Sequence, residues 1–375
     1  MQDIAEELEI FRRSVAHFVD AEVSPHRERF RKQKCVDRDL WNKAGEAGLL
    51  LTGIPDPWGI GGDFRHEAVV MEELCRIGFG DFAISMHSGI VAPYIYHLGT
   101  DEQRDRWLPA MARGERVGAL AMSEPGTGSD LRAIRTTAVL EGDTWVINGA
   151  KTFITNGHLA DTIVLACRTD PIERGKGLSL IVVDTQGLDG FRRGRNLEKI
   201  GFAGSDTAEL FFEDCRVPLG NLLGERGQGF AAMSQQLPQE RLIIGLQAVA
   251  SMEAAVALTV DYTKERRAFG QPLFDFQNTR FKLAEAKTET VAARAFVDSC
   301  IARHVEGHLD ATTAAMIKWW TTQKQGEVMD ECLQLFGGYG YMAEYPISHM
   351  WTDARLQKIY GGTNEIMKEL VGRSL

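Results

Sequence analysis

Between Val117 and Gly224 the sequence changes texture, and this block limits the possible folds more than any other feature. The strings TTAVLEGDTWVINGAKTFITNG, DTIVLACRTD, GLSLIVVDT and TAELFFEDCRVP are short β-branched runs broken by Gly, Asn and Asp, which read as strands joined by turns. No helical stretch intervenes, so a compact barrel or sandwich is expected rather than a doubly wound parallel sheet. On the N-terminal side Ile4, Leu8, Phe11, Val15, Phe18 and Val19 recur at helical spacing. Further helical stretches fall around Asp39–Leu49 and Glu67–Ile77, with the turn-rich IPDPWGIGGD between them. After Gly229 long helices are predicted over Pro238–Arg267, Asp275–Val305 and Asp310–Phe336, with Pro238 in a first turn, where its missing N–H is not needed. The expected architecture is therefore α+β and multidomain: a helical domain over 1–116, a β-barrel-like domain over 117–224 and a four-helix bundle over 225–375.

A chain of 375 residues, 44% hydrophobic and 25% charged, has ample apolar material for several cores. Its net charge of -10 argues against a nucleic-acid partner, because binding a polyanion relies on clustered Lys and Arg. There is no uninterrupted apolar run long enough to span a bilayer, and the opening MQDIAEELEIFRRSV carries acids where a secretory signal needs a basic start. Soluble, cytoplasmic residence is the expectation. The six cysteines are scattered, without a C-x-x-C pair or a short-spaced His set, and read as reduced buried thiols rather than metal ligands. Neither H-E-x-x-H nor G-x-S-x-G occurs, so zinc proteolysis and serine hydrolysis have no support.

Three glycine-rich loops stand out. Ser123–Asp130 (SEPGTGSD) follows a strand-like run, and its glycines would open successive backbone N–H groups to an anion; a plain turn is the commoner meaning of such a string. Gln334–Gly340 (QLFGGYG) ends a helix, where glycine often serves only as a C-cap. Tyr360–Glu365 (YGGTNE) precedes a short helix that Thr363 can cap. Three such loops in one chain point to a large phosphate-bearing ligand. Glu240 and Arg241 adjoin a long apolar helical stretch. Solvent exposure is the usual fate of such a pair, whereas a carboxylate buried there would have a raised pKa and suit general-base work. The residues alone leave both outcomes open.

Taken together, AMSEPGTGSD, KTFITNG, ERRAFGQPLFDFQ and QLFGGYGYMAEYPISHMWTDARLQKIYGGTNEI, in this order, resemble the four signatures of the acyl-CoA dehydrogenase family. LPQER followed by IYGGTNEIMKEL is similar to its long-chain members in particular. The resemblance implies FAD-dependent α,β-dehydrogenation of an acyl-CoA thioester to the trans-2-enoyl-CoA, with electrons passed to an electron-transferring flavoprotein. Many relatives carry the catalytic Glu directly after the Tyr of IY-x-G-T, where this chain has Gly361; the long-chain and isovaleryl branches place it on the LPQER helix, which is Glu240. Gly361 is then implied as a backbone N–H donor to the thioester carbonyl, and Arg241 as the residue that organises the base and closes the site.

The same resemblance implies FAD contacts from Leu120, Met122, Ser123, Ser129, Phe153, Ile154 and Thr155, and from Thr363, Asn364 and Glu365. Arg266, Gln277, Gln334, Gly337 and Gly338 are implied to reach a partner subunit's FAD, so a homo-oligomer, a dimer of dimers, is expected. Substrate contacts are implied for Ser129, Gln239, Arg241, Gly361 and Gly362, and Lys176 is a candidate for CoA phosphate. The chain departs from common family residues at Leu120, Ser123 and Phe153, where Tyr, Thr and Trp are frequent; a hydroxyl and an aromatic face are retained. An oxygen-using oxidase or hydroxylase of the same fold and a non-catalytic subunit of a heteromer are the alternatives. Acyl length and branching are left open.

Overall fold

The structure, a computed structural model, describes residues 2–170 and 177–375. The helices of the N-terminal part are α1 (Gln2–Phe18), α2 (Arg27–Gln33), α3 (Arg38–Glu46), α4 (Phe64–Arg76), α5 (Ala92–Leu98) and α6 (Asp101–Ala112). Their starts are written locally. Asp63 and His66 form a reciprocal capping box at α4, and Thr100 and Gln103 another at α6, each satisfying two backbone donors that a helix start leaves unpaired. A π-helical turn, Ser85–Val91, leads into α5.

The β block folds as β1 (Gly118–Ala121), β2 (Thr137–Glu141), β3 (Thr144–Thr155), β4 (Thr162–Arg168), β5 (Leu178–Asp184), β6 (Phe191–Asn196), β7 (Thr207–Pro218) and β8 (Leu222–Leu223). Their order is β6-β7-β3-β2-β4-β5-β8, with β1 parallel to β4. Alternate residues of β4 and β5 serve two cores. Ile163, Leu165, Cys167, Ile181 and Val183 point into the sheet's own core with Trp145, Phe212 and Val217. Val164, Ala166, Leu180 and Val182 pack instead into the helical core. Burial on both faces explains why these two strands read as unbroken apolar runs rather than alternating ones.

The C-terminal part comprises α7 (Gly229–Glu265), a small hairpin of β9 (Arg267–Ala268) and β10 (Gln271–Pro272), α8 (Gln277–Val305), α9 (Ala311–Phe336), α10 (Pro346–Gln357) and α11 (Asn364–Gly372). Asp310 caps α9 through two backbone N–H groups, and Gly337, at φ +59°, ends it in a conformation that suits glycine. Pro238 does not begin a helix. It lies inside α7, which starts at Gly229. A proline there removes the bond to the carbonyl four residues earlier, that of Ser234, an exposed residue whose carbonyl water can satisfy. Glu240 is consequently about three turns into α7 rather than at its start. Among the described residues α7 is the helix long and apolar enough to cross a membrane, and most of its apolar stretch is buried inside the protein.

Candidate active site

Glu240 is 7% exposed, so the usual outcome for a charged helix residue does not hold here. Its Oε1 accepts a 2.8 Å hydrogen bond from the Tyr94 hydroxyl, itself fully buried at the start of α5. Burial pushes the Glu240 carboxyl up to about 7, against the opposing pull of the Tyr94 hydroxyl and the Arg241 charge. The neighbouring Gln239 is engaged at both ends of its amide: Nε2 donates to the Gly89 carbonyl at 2.6 Å, and Oε1 lies 2.9 Å from His304 Nε2. Gly89 leaves room for this docking, since a Cβ there would meet Ile243 Cδ1 at 2.7 Å. Gln239, Glu240 and Ile243 thus seat α7 against the π-helical turn and α5.

Arg241, expected to organise Glu240, acts on it through its charge rather than through a hydrogen bond. Successive helix residues diverge by about 100°, and Arg241 makes no hydrogen bond to Glu240 among the described residues. Arg241 is 5% exposed and its Nε lacks a partner among the described residues. Burial lowers its pKa, which marks a cation held where its charge is felt.

The Tyr360–Thr363 loop presses on the same helix. Gly361 has φ +63°, and a Cβ there would collide with Ile244 Cδ1, one turn beyond Glu240 on α7. Glycine suits this position, because L residues rarely adopt this φ and a Cβ would displace the terminal methyl of Ile244. Gly362 (φ +86°) gives its carbonyl to Lys318 Nζ at 2.6 Å. Thr363 caps α11 through the Ile366 N–H. Asn364 is spent inside the fold: its Oδ1 accepts from Lys318 and Thr322, and its Nδ2 donates to the Trp319 carbonyl. Its backbone N–H is spent too, donating to the Lys358 carbonyl at 3.1 Å, while Glu365 is exposed. Lys318 is fully buried on α9. Desolvation first, and the Arg241 charge second, push its ammonium down to about 7.

The second cluster lies where β1 ends. Ser123 Oγ donates to the Thr152 carbonyl at 2.6 Å and the Thr152 N–H returns to the Ser123 carbonyl at 3.0 Å, so the two strings AMSEPGTGSD and KTFITNG are laced together. Beneath them Lys151, 1% exposed, donates to the Met122 carbonyl and to Glu124, whose carboxylate also accepts from the N–H groups of Arg135 and Thr136. A Cβ on Gly126 or Gly128 would meet nothing, so the loop's outer face is open, and Ser129 is exposed on it. Phe153 is 69% exposed, held at φ +58°, with its ring turned outward from β3. Met122 and Thr155 are half-buried; Leu120 and Ile154 are buried, Leu120 in the helical core and Ile154 in the sheet core.

The third cluster is a groove of about 540 Å³ lined by Arg266, Gln334, Gly337 and Gly338 among others. The Tyr262 and Phe336 rings stack at 4.0 Å in its wall, and the Arg266 guanidinium lies 5.3 Å from the Tyr339 ring. Gln277 is exposed in the first turn of α8 and does not line the groove. The hairpin tip next to Arg266 holds Phe269 at φ +51° and 96% exposed. Lys176 lies outside the described residues. No group of three or more His, Cys, Asp or Glu able to hold a metal occurs among the described residues.

Tyr94, Lys318 and Phe269 were not visible as site residues in the sequence. Tyr94 sits in the apolar string VAPYIYHL and Lys318 in AAMIKWW; a lysine amid such a run was the available signal. The open aromatic ring of Phe153, the uncrowded glycine loop and the wide groove suit a large, flat, phosphate-bearing ligand.

The chain belongs to the acyl-CoA dehydrogenase family: that family's N-terminal, middle and C-terminal domains match residues 5–115, 119–215 and 227–375. The chain is 46% identical over 372 residues to the mitochondrial long-chain specific acyl-CoA dehydrogenase of Sus scrofa, covering 98% of this chain and 86% of that protein. Among solved structures, an acyl-CoA dehydrogenase from Geobacillus kaustophilus superposes with a TM-score of 0.96 at 44% identity, covering 98% of each chain. A chain from a structure of the electron transferring flavoprotein of Acidaminococcus fermentans, concerned with flavin-based electron bifurcation, gives 0.94 at 37% identity, covering 98% of this chain and 97% of that one. The protein is an FAD-dependent acyl-CoA dehydrogenase, an oxidoreductase.

Proposed function

We propose that Glu240 is the base that removes the substrate α-proton, and the observation that carries this reading is its burial at a pKa of about 7 beside the Gly361 loop. A carboxylate with that pKa is substantially ionised near neutrality and still basic enough to accept a proton from carbon. The α-C–H of a thioester is a weak acid until its carbonyl is held by donors that favour the enolate. The Gly361 N–H serves as such a donor, and the Arg241 charge favours the ionised Glu240 that must be present before the proton is taken. Bound FAD supplies the acceptor for the β-hydride, two-electron chemistry that no side chain offers.

Ser123, Phe153, Thr155 and the Gly126–Ser129 backbone are the residues that would hold the flavin end within the chain. Arg266, Gln334, Gly337 and Gly338 line a surface for FAD carried by a second copy, to which the exposed Gln277 outside the groove and Phe269 at the hairpin tip would add, and this supports a homo-oligomer and a dimer of dimers. Ser129, Gln239, Gly362 and Lys176 keep their proposed roles toward the acyl-CoA, Gln239 and Gly362 through shaping the pocket rather than through free side-chain groups. An electron-transferring flavoprotein as acceptor and cytoplasmic residence are our readings too. The pig relative is mitochondrial by name. Anaerobic mixing of the FAD-loaded protein with acyl-CoAs of graded length and branching tests the function: bleaching of the flavin by long-chain thioesters is expected, and a flavin that stays oxidised with every thioester would contradict it. Rapid peroxide formation in air without an added acceptor would mark an oxidase instead.

A further inference from the structure

Why Glu240 should hold a fixed orientation is not explained by its own helix. The last torsion of a glutamate is broad, so a buried carboxylate with no anchor turns freely and presents either oxygen to a substrate. Arg241 acts on Glu240 through its charge without a hydrogen bond, and the one side-chain hydrogen bond on Glu240 among the described residues comes from Tyr94. We propose that Tyr94 is a positioning residue for the catalytic base, its hydroxyl holding Glu240 Oε1 so that Oε2 alone faces the substrate. This rests on the reading of Glu240 as the base.

Three features of the fold aim Tyr94. The π-helical turn Ser85–Val91 widens the helix just ahead of α5 and resets the direction in which α5 residues point, a device often found near functional sites. Gly89 within that turn abuts Ile243 and accepts from Gln239, so the turn is pinned to α7 on both sides of Glu240. The Tyr94 ring is fully buried in the helical core, and burial together with the Glu240 charge keeps its hydroxyl protonated well beyond the neutral range. Tyr94 therefore remains a donor throughout the reaction. When the α-proton arrives on Oε2, Oε1 becomes the carbonyl oxygen of the acid and still accepts from Tyr94, so no second proton has to move.

Other charges around α7 are committed elsewhere. On α9, Lys318 bonds Gly362 and Asn364 and acts electrostatically on Arg241. On α8, His304 meets Gln239, and Arg294 is held by Glu72 and Glu253. On α4, Glu67 accepts from the Gly53 N–H, and Cys75 approaches the Gln247 carbonyl. Asp353 on α10 accepts from the Phe202 N–H, Asp184 on β5 pairs with Arg106, and Asp275 lies in the turn beyond the C-terminal end of α7. The Arg241 charge acts on Glu240 without a hydrogen bond, and Tyr94 is the group whose removal takes away the hydrogen bond on Glu240.

The test is Tyr94→Phe in the FAD-loaded protein, with anaerobic flavin reduction by a long-chain acyl-CoA followed across pH. Without its donor the carboxylate should stay protonated to higher pH, moving the acid limb of the reduction rate up by roughly one unit, with kcat lowered and KM little changed. A readout independent of turnover accompanies it: the loss of Tm in Tyr94→Phe should be larger at about pH 8.5, where the carboxylate is charged, than at about pH 5. An unmoved pH profile, or a Tm loss equal at both values, would overturn the proposal. Should Tyr94→Phe fail to hold FAD, 3-fluorotyrosine placed at position 94, a stronger donor, should move the limb the opposite way, and no movement would again overturn it. Glu240→Gln run in parallel separates the two claims. Normal bleaching by Glu240→Gln removes the base reading itself, whereas an inert Glu240→Gln beside an unmoved Tyr94→Phe profile removes only the role of Tyr94.

Discussion

The buried surroundings of Glu240 and the groove around Arg266 are made of opposite materials. Around Glu240, Tyr94 donates to the carboxylate, Gln239 engages the Gly89 carbonyl and His304, and Lys318 bonds Asn364 and the Gly362 carbonyl, all within one chain. In the groove, Arg266, Gln334, Gly337 and Gly338 are exposed around about 540 Å³ of open space, beside a fully displayed Phe269. A closed region tunes the pKa of a buried acid; an open one presents groups for a ligand that something else must cover. The difference teaches that chemistry and cofactor retention can be broken separately.

Changes at Gly361 should cause the largest loss of stability in the closed region. Gly361→Ala places a Cβ at φ +63° and against Ile244, and should cost about 2 kcal/mol or more in urea unfolding, together with most of the flavin reduction rate. Ile244→Val in the same background should return part of the stability, because only the collision is relieved. Full recovery would show that the backbone conformation carries no cost.

Glu240→Gln sharpens the comparison in the opposite direction. A carboxyl whose folded pKa is raised from 4.5 to about 7 binds a proton more tightly when folded, so stability is lost as pH rises from 4.5 to about 7 and stays lost above. The glutamine variant should therefore be more stable than the parent at about pH 8, by on the order of 2–3 kcal/mol, with little difference at about pH 4.5. Lys318→Met tests the neighbouring cation. Its folded pKa is lowered from 10.5 to about 7, so the unfolded chain holds the proton more tightly, and the parent should gain stability as pH rises from about 7 toward 10.5. That rise should be missing from Lys318→Met in thermal unfolding followed against pH. The smallest effect is expected in the groove: Arg266→Ala should weaken FAD retention several-fold, by about 1 kcal/mol, while leaving the pH profile of flavin reduction in loaded protein unchanged.

The contrast also governs how much the sequence could reveal. Strand texture from Val117 to Gly224, the Thr363 cap and the glycine at the end of α9 are local signals, carried by residues within a few positions of the feature they specify, and each is realised in the structure. The glycine loops are legible as strings, whereas Glu240 as a base is what the family resemblance implies and its residues alone leave open. What stayed hidden depends on distant partners. Tyr94 in an apolar string gives no sign that α7 will present it with a carboxylate, and Lys318 gives none that the Gly362 carbonyl will need a donor. Pro238 misled for a related reason: proline is commonest in a first turn, but an exposed carbonyl at Ser234 lets α7 run through it. The role the resemblance implies for Arg241 is carried by its charge, since neighbouring helix residues do not face each other.

The central claim is that the buried carboxylate of Glu240 begins the reaction. Rapid-mixing absorbance of Glu240→Gln, FAD-loaded and anaerobic, against a long-chain acyl-CoA tests it most directly. The account predicts a yellow, folded protein that binds the thioester and whose flavin is reduced at least about a thousandfold more slowly than in the parent. Reduction at the parental rate would contradict it.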